Sequence, residues 1–423
     1  MRPINCFEDI LPLFRPGSSV VIHSACAEPQ YLASQLGSHA ASLRNVRLYT
    51  LMPMGQAPYA DAGGGLAVVT FSPGKGLRKA ASAGRIEMLR TPLSGIPKLF
   101  NDRTLTADIL LLQLAPPDEN GAMSLGISVD YMRAVLAQRP TVVAEINPLM
   151  PHTCGDTGVR EDEVDYILQA QNAPQAVPAA AADQTEQRIA QHVAGLITHG
   201  AVIQVGIGLL PDLVLGQLGA LYDLGIHSGI ISDAVLPLLE NGAVTNAKKK
   251  HFPGKCITTM AAGTQPFYDA LHRNRSIEFH PCSLTHDVKL IAELDGFCAV
   301  NSVLQIDLAG RANAERVDGK VISTPGGLPD FARGATLARN GKSIVTLRSA
   351  SKDGSRSNIV PALAPEVPVT VTADHIDYVV TEHGVARLRG LDPAGRARTL
   401  IAIAAPEFRA ELRRHAGCCS SIG

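Results

Sequence analysis

The chain has 423 residues, of which 46% are hydrophobic and 18% charged, and its formal net charge is −1. One hydrophobic core does not serve a chain of this length, so two domains are expected. A charge near zero argues against nucleic acid or an anionic membrane as a partner. Acidic residues stand where a signal peptide would be apolar, and no apolar stretch approaches the ~20 residues of a membrane span. We therefore expect a cytoplasmic protein.

The cysteines do not indicate a metal site or a disulfide framework. Eight of them are spread along the chain without a C-x-x-C pair, which is typical of reduced packing residues. The sequence also shows no cluster with the ligand spacing of a zinc site. We expect neither a metal nor a nucleotide cofactor. The cysteines are Cys6, Cys26, Cys154, Cys256, Cys282, Cys298, Cys418 and Cys419.

In the first half, short apolar runs alternate with helical patterns. A helix is predicted from Pro29, with Leu32, Leu36 and Ala40 on one face. Near-continuous apolar strands between helices predict an α/β fold whose largely parallel sheet is covered on both faces. The predicted strands are 19–23, 45–50, 66–71, 107–113 and 141–146.

A segment rich in Ala and Pro, 172–187, interrupts this pattern and predicts a linker. The domains are therefore placed at 1–175 and 188–423, with 176–187 between them. The second half begins with a helix and continues with strands predicted at 201–205, 342–347 and 378–382.

A glycine-rich turn follows the strand that begins the second half. In the segment 205–212, Gly206 and Gly208 would allow backbone N–H groups to approach an anion, next to the start of a helix. The third glycine of the dinucleotide fingerprint is missing, so that function is not supported. By itself the turn also fits an ordinary strand–helix connection.

A second glycine motif lies at 324–335. Gly326 and Gly327 expose two adjacent backbone N–H groups that could serve as oxyanion donors, and Asp330 could cap the helix that follows. The alternative is an ordinary loop.

Two further motifs lie at 300–311, which includes Asn301, and at 380–390. Glu382 and His383 in the latter suggest an acid–base pair, but adjacent residues on a strand point to opposite faces. A structural role for the pair is therefore favoured.

In this order and spacing, the four motifs resemble the acetyl-CoA hydrolase/4-hydroxybutyrate CoA-transferase group of class I CoA transferases. Segments 115–126, 145–156 and 400–409 extend the resemblance over essentially the whole chain. It implies two related open-sheet α/β domains of the NagB/RpiA-like type, with the active site between them. It also implies a homodimer or larger homo-oligomer.

The resemblance further implies a ping-pong reaction in which a glutamate attacks an acyl-CoA and carries CoA as a glutamyl thioester to a small carboxylic acid. Coenzyme A is then a substrate. Carried over by motif, Gly206 and Gly208 lie near CoA or the domain interface, and Asp330 belongs to the residues that bind CoA. Gly326 and Gly327 lie over the thioester, with Gly327 as oxyanion donor, and Asn301 is a polar neighbour of the reacting carbonyl.

The chain departs from the family at the expected nucleophile. In segment 224–233 the resemblance expects a glutamate, but Gly229 stands there. Glu28 is the predicted replacement because it follows the first strand, and the carboxyl ends of parallel strands bind ligands. Its alternative role is that of an acid at a helix N-terminus. Glu240, Asp233 and Glu87 are weaker candidates.

The acid substrate is not fixed by the sequence, although the pattern is closest to itaconate-type transferases of the family. A dicarboxylate would require a basic group, for which Arg85, Arg90 and Arg333 are candidates. Two other functions stay open. An acyl-CoA hydrolase would release CoA without an acceptor acid, and a non-catalytic acyl-CoA-binding homologue would bind without turnover.

Overall fold

The computed structural model describes residues 1–61, 63–178 and 181–419. The chain forms two compact units. Unit 1 contains Met1–Pro178 and Ile257–Thr285, and unit 2 contains Ala179–Cys256 and His286–Gly423. The first change of unit, after Pro178, lies inside the predicted linker. The division differs from the predicted one because 257–285 belongs to the first unit, and because a helix, Gln184–Ala194, already begins inside the predicted linker.

Unit 1 is built on an eight-stranded sheet whose strands are all parallel. Its spatial order is β1-β8-β7-β6-β2-β3-β4-β5. The first strand lies at one edge. From β2 near the middle, the chain adds β3, β4 and β5 on one side and then β6, β7 and β8 on the other. The strands are β1 (Arg2–Pro3), β2 (Ser19–Ile22), β3 (Val46–Leu51), β4 (Leu66–Ser72), β5 (Glu87–Met88), β6 (Ile109–Leu114), β7 (Thr141–Ile146) and β8 (Tyr166–Gln169).

Both faces of this sheet are buried, which explains why its strands are continuously apolar. On one face Val20, Leu48 and Leu111 pack with Leu32 and Leu36 of helix α1 (Gln30–His39). The other face carries aromatic contacts between Tyr49, Phe71, Phe100 and Tyr131. Further helices of unit 1 are Arg78–Ser82, Ile96–Asn101, Met132–Leu136, Gln265–Leu271 and Cys282–Thr285.

Short strands complete unit 1. Ile277–Phe279 pairs in parallel with Cys154–Gly155, and Gly158–Val159 pairs antiparallel with Met123–Ser124. Two more short strands are Met260–Ala261 and Cys256–Thr258, of which the latter begins at the last residue before unit 1 resumes.

Unit 2 contains a six-stranded sheet in the order β10-β9-β11-β12-β13-β14. All neighbours are parallel except the last pair, in which β14 returns antiparallel beside β13. The strands are β9 (Val202–Val205), β10 (Gly225–Ile226), β11 (Phe297–Ser302), β12 (Lys342–Thr346), β13 (Tyr378–Thr381) and β14 (Gly384–Arg387).

Unit 2 contains the helices α2 (Gln184–Ala194), α3 (Leu209–Gly216) and α4 (Leu328–Leu337). The others are Leu236–Glu240, Val288–Ala292, Pro393–Ala402 and Arg409–Cys419. Short strands are Ile230–Ile231, Gln305–Asp307, Ala312–Asn313, Arg316–Val317, Lys320–Val321 and Ile359–Val360. The predicted α/β class with two open-sheet domains is confirmed.

Candidate active site

Glu28 lies just beyond the carboxyl end of β2, in the centre of the first sheet. A 3-10 turn, Ala25–Ala27, follows the strand, and Glu28 itself is extended with φ −55° and ψ 126°. A proline ring clashes sterically with the preceding residue and disfavours a helical backbone there. Pro29 therefore keeps Glu28 outside the helix, and α1 begins at Gln30. The predicted position at a strand end is therefore the one found.

The carboxyl group of Glu28 is directed into unit 1, and only 6% of the residue is exposed. The Tyr59 hydroxyl donates a hydrogen bond to Glu28 Oε2 at 2.5 Å, and Thr50 Oγ1 lies 3.4 Å from the same hydroxyl. Tyr59 belongs to the 3-10 helix Pro58–Asp61. This helix can approach α1 because Gly37 has no side chain: a Cβ there would lie 2.9 Å from the Pro58 backbone.

A polar chain on neighbouring strands fixes the backbone of Glu28. Gln113 Nε2 donates to the Glu28 carbonyl oxygen at 2.9 Å, and Asn147 Nδ2 donates to Gln113 Oε1 at 2.7 Å. The carboxyl is thus held through its side chain by Tyr59 and through its main chain by Gln113. Such double support restricts the geometry of a reactive group.

Burial raises the pKa of Glu28 to about 7, against the Tyr59 hydrogen bond, which lowers it, while nearby Glu145 raises it further. Burial also raises the pKa of Glu145 to about 7, although Glu145 Oε1 accepts a hydrogen bond from the Leu32 backbone at 2.7 Å. Two neighbouring carboxyl groups that titrate near neutrality are unusual outside functional sites.

A second buried polar cluster supports the same strand end. His23 places Nε2 at 2.7 Å from the Ser128 carbonyl oxygen and Nδ1 at 3.2 Å from that of Gln113. Asp130 accepts a hydrogen bond from Ser128 Oγ at 2.9 Å. Burial lowers the pKa of His23 and raises that of Asp130, and each charge partly offsets the shift of the other. This cluster anchors Gln113 and the 128–130 loop.

In unit 2 the first glycine turn follows β9. Gly208 adopts φ +120°, a region that favours glycine, and α3 starts at the next residue. A Cβ on Gly206 would lie 4.0 Å from Asn301 Oδ1. Asn301 on β11 and Gln204 on β9 form a reciprocal amide pair, with N–O distances of 2.8 and 3.2 Å. Gly206, Gly208 and Asn301 therefore lie around the carboxyl ends of adjacent strands, where such sheets bind ligands.

The second glycine motif forms the start of α4. Gly326 has φ +56° and Gly327 is the N-cap of this helix. Asp330 lies inside the first turn, because the helix starts before it, so its predicted role as the cap is taken by Gly327. An acidic residue in that turn is still favourable with the helix dipole. The first backbone N–H groups of a helix have no partner within it, which suits them to bind a developing negative charge.

His286 is brought against both Gly229 and Gly327. A Cβ on Gly229 would lie 2.7 Å from His286 Nε2, and a Cβ on Gly327 would lie closer still. The imidazole also contacts the Phe331 ring, with ring centroids 4.5 Å apart. No sequence motif connects His286 with Gly229 or Gly327, which lie 57 and 41 positions from it along the chain.

The weaker carboxylate candidates have surface or supporting positions. Glu87 forms an exposed ion pair with Arg47 at 2.6 Å, and Glu240 is exposed at the end of its helix. Glu382 accepts hydrogen bonds from the Ser349 backbone and hydroxyl, which agrees with the expected structural role. The three arginine candidates are exposed: Arg85 pairs with Asp61, and Arg333 lies on α4.

Within the ranges 1–61, 63–178 and 181–419, no group of three or more His, Cys, Asp or Glu side chains is arranged to hold a metal ion. In the same ranges, no helix has the length and apolar character needed to cross a membrane.

Comparison with known proteins gives consistent relatives. Two family models match: acetyl-CoA hydrolase/transferase N-terminal domain at residues 2–179 and C-terminal domain at residues 263–416. A 4-hydroxybutyrate coenzyme A transferase of Clostridium kluyveri is 35% identical over 93% of this chain and 92% of its own length.

Solved structures agree. The structure of RipA from Yersinia pestis has a TM-score of 0.92 to this chain at 27% sequence identity. The alignment covers 100% of this chain and 98% of the RipA chain. A 4-hydroxybutyrate CoA-transferase from Porphyromonas gingivalis has a TM-score of 0.83 at 30% identity, with coverage of 98% and 96%.

Proposed function

The chain belongs to the acetyl-CoA hydrolase/transferase family and is an enzyme of the CoA-transferase type, and we propose that Glu28 is the carboxylate that carries CoA between acyl-CoA and a small carboxylic acid. The observation that carries the proposal is a buried, doubly supported carboxyl at the carboxyl end of a central parallel strand. The predicted cytoplasmic location and homo-oligomeric state stay predictions.

The proposed reaction is a double displacement. The Glu28 carboxylate attacks the thioester carbonyl, the C–S bond breaks, and a mixed anhydride and CoA thiolate form. The thiolate then attacks the glutamyl carbonyl, which releases the first acid and leaves a glutamyl-CoA thioester. A second acid takes the CoA by the reverse steps. Because thioesters are exchanged, no external energy source is needed.

The environment of Glu28 suits this chemistry. A pKa of about 7 means that the carboxyl is ionised in a large fraction of molecules at neutral pH. Desolvation also raises the reactivity of the ionised form, because fewer hydrogen bonds must be broken before attack. Tyr59 occupies one carboxylate oxygen, Oε2, so Oε1 is the proposed attacking atom.

For unit 2 we propose that Gly206, Gly208, Asn301 and Asp330 belong to the region that binds CoA. For Gly326 and Gly327 we propose the role of oxyanion donors. Glycine turns at the starts of α3 and α4 support this assignment, since helix N-termini attract anionic groups.

The proposal is tested with a covalent label. The protein is mixed with acetyl-CoA or succinyl-CoA without an acceptor acid, digested, and examined by peptide mass spectrometry. We expect a CoA-sized addition on the peptide that contains Glu28. Addition of acetate, propionate, succinate, 4-hydroxybutyrate or itaconate should then remove the label and identify the acceptor.

Glu28→Gln should abolish the label. Glu145→Gln is the matched control because it neutralises the other buried carboxyl with a pKa of about 7, and it should keep the label. A label that persists in Glu28→Gln would contradict the assignment of Glu28. If that label lay on a peptide with Glu240 or Glu87, the glutamate on that peptide would be the nucleophile instead. CoA binding without any label or transfer would support a non-catalytic homologue instead.

A further inference from the structure

A cavity of about 400 Å³ lies at the amino edge of the sheet of unit 2. Strands β11, β12 and β13 begin at this edge, and the antiparallel β14 ends there. The carboxyl ends of β9 and β11, around which Gly206 and Asn301 lie, form the opposite edge of the same sheet. The cavity is therefore separate from the region proposed to bind CoA. Its lining includes Thr198, Cys298, Lys342, Tyr378, Arg387 and Arg389.

The register of the sheet places four of these side chains on one face. Cys298 of β11 is paired with Lys342 of β12, and Tyr378 of β13 is paired with Arg387 of β14. Ile344, two residues after Lys342, is paired with Tyr378. Directly opposed residues share a face of the sheet, and so do residues two positions apart on one strand. The ammonium group, the phenol ring and the guanidinium group therefore project from the same side of the sheet.

The positive charges around the cavity are only partly compensated. Arg389 Nε lies 2.9 Å from Asp377 Oδ1, so this guanidinium has a carboxylate partner. The Asp377 carboxylate also attracts Arg387 at longer range, but one negative charge cannot neutralise both arginines. Lys342 Nζ donates to the Leu196 carbonyl oxygen at 2.5 Å, and this acceptor carries no charge. Within residues 1–61, 63–178 and 181–419, neither Lys342 nor Arg387 forms an ion pair.

The nearby Asp295 does not change this balance. Asn340, which also lines the cavity, donates to Asp295 Oδ1 at 3.0 Å, and Arg339 forms an ion pair with the same carboxylate. The pair adds no net charge. About two positive charges, those of Lys342 and Arg387, are thus left for a bound anion.

A phosphate monoester matches this charge and these donors. Its phosphate carries about −1.5 to −2 at pH 7 and presents three strong acceptor oxygens on one group. Guanidinium and ammonium groups are the usual partners of phosphate oxygens. Among the described residues, the hydroxyl groups of Thr198 and Tyr378 have no hydrogen-bond partner, so they can donate to further oxygens. Small-molecule sites have volumes of roughly 300–1,000 Å³, so this cavity also has room for an organic group beside the phosphate.

We propose that this cavity binds a phosphate monoester of nucleotide size, with its phosphate between Lys342 and Arg387 and its organic part against Tyr378. The Tyr378 ring is half-buried in the wall and offers a planar apolar surface to that part. The site goes beyond the proposed function and does not depend on Glu28, so either proposal can fail without the other.

Calorimetric titration with AMP tests the site. CoA is present at a saturating concentration, so that AMP does not bind in place of CoA, and salt is at about 150 mM, where long-range attraction is screened. We expect AMP to bind, and adenosine, which lacks the phosphate, not to bind at the same concentrations. Arg387→Gln should weaken AMP binding about tenfold or more, because a charged hydrogen bond to the phosphate is lost. Arg387 is exposed, so this variant should melt like the unmodified protein.

Lys342→Gln is the second variant and should weaken AMP binding to a similar extent. Its side-chain amide can still donate to the Leu196 carbonyl oxygen, which preserves the local structure. Arg398→Gln is the matched control, because Arg398 is an exposed arginine of unit 2 that does not line the cavity. This control should keep the AMP affinity of the unmodified protein.

Four outcomes would overturn the proposal. AMP might not bind to the unmodified protein, or its binding might survive in both Arg387→Gln and Lys342→Gln. An equal loss in Arg398→Gln would show that only the overall charge of the surface matters. Citrate binding as tight as that of AMP would show that a polycarboxylate suffices and that phosphate is not recognised.

Discussion

At the scale of single residues, the buried carboxyl group of Glu28 links stability to pH. Its pKa rises from an ordinary value of 4.5 to about 7 on folding, because the ionised form is poorly solvated. Between these two values the folded state binds more protons than the unfolded state. Stability therefore falls as pH rises through this window, which is the reverse of the behaviour of a carboxylate held in a salt bridge.

Glu28→Gln should remove this pH dependence. The shift corresponds to about 3 kcal/mol of lost stability above pH 7 for a fully buried group. The glutamine amide oxygen can still accept the hydrogen bond from Tyr59, so the variant should melt close to the unmodified protein at pH 5 and clearly above it at pH 8. The measurement is the melting temperature by circular dichroism at the two pH values.

Glu240→Gln serves as the control for loss of an exposed carboxylate and should leave both melting temperatures unchanged. Equal melting of Glu28→Gln and the unmodified protein at pH 8 would mean that the Glu28 carboxyl does not carry the raised pKa. Glu145 stays in all three proteins, so the comparison changes only the carboxyl at position 28 and the electrostatic coupling of that carboxyl to Glu145.

The sequence pattern singles out Glu28 as a candidate but does not indicate the residues that surround it. Gln113 and Glu145 lie within strands that were predicted correctly, and each is the polar exception in an otherwise apolar run. A buried polar residue in such a run needs a partner, which is a usable signal. Tyr59 carried no such signal, because a turn far along the chain brings it to Glu28 through packing on α1.

At the scale of secondary structure, the contact between α4 and the helix Val288–Ala292 determines where His286 lies. Gly334 stands in the interior of α4, where glycine costs about 1 kcal/mol relative to alanine. A Cβ there would lie 2.7 Å from Ile291 Cβ and closer to Cγ2. The glycine is therefore explained by helix packing and not by helix propensity.

Gly334→Ala should destabilise the protein although it improves helix propensity. Overpacking a tight contact costs about 1–3 kcal/mol, which exceeds the gain in propensity. Ile291→Ala removes Cγ2, so the double variant should lose less stability than the sum of the two single variants. Urea denaturation of the four proteins measures this coupling, and additive losses would show that the two residues do not interfere.

Strand positions were predicted well because apolar runs in a parallel sheet are continuous. Thr141–Ile146 was predicted with its observed bounds, and the starts of β4 and β12 were also correct. The central strand β11, with six residues, was missed although it is largely apolar. Very short strands such as Gly225–Ile226 and the antiparallel β14 were missed as well. Their sequences contain too few apolar residues to form a pattern, and the sheet neighbours decide their conformation.

At the scale of the whole molecule, unit 1 is discontinuous, since residues 257–285 return to it after the first part of unit 2. The returning segment forms parallel pairing at Ile277–Phe279 and donates the Tyr268 hydroxyl to the Gln175 carbonyl oxygen at 2.9 Å. The match of the C-terminal family model begins at residue 263, so sequence families and compact units do not divide this chain at the same point. Local sequence patterns cannot reveal such a return, because they do not report contacts between distant segments.

A fragment of residues 1–178 should therefore fail to fold cooperatively by itself. It lacks the buried side chains of Phe267, Tyr268 and Phe279. It also leaves exposed the backbone groups that form hydrogen bonds with the returning segment. A chain in which 1–178 is joined to 257–285 by a flexible linker of about 15 residues restores both. Thermal unfolding followed by circular dichroism should be cooperative for the joined chain and broad for the fragment.

The same joined chain with the order of 257–285 scrambled should behave like the fragment, which separates the effect of specific packing from that of added length. A sharp transition of 1–178 alone, at the temperature of the joined chain, would show that the returning segment is an accessory to unit 1 and not part of its core.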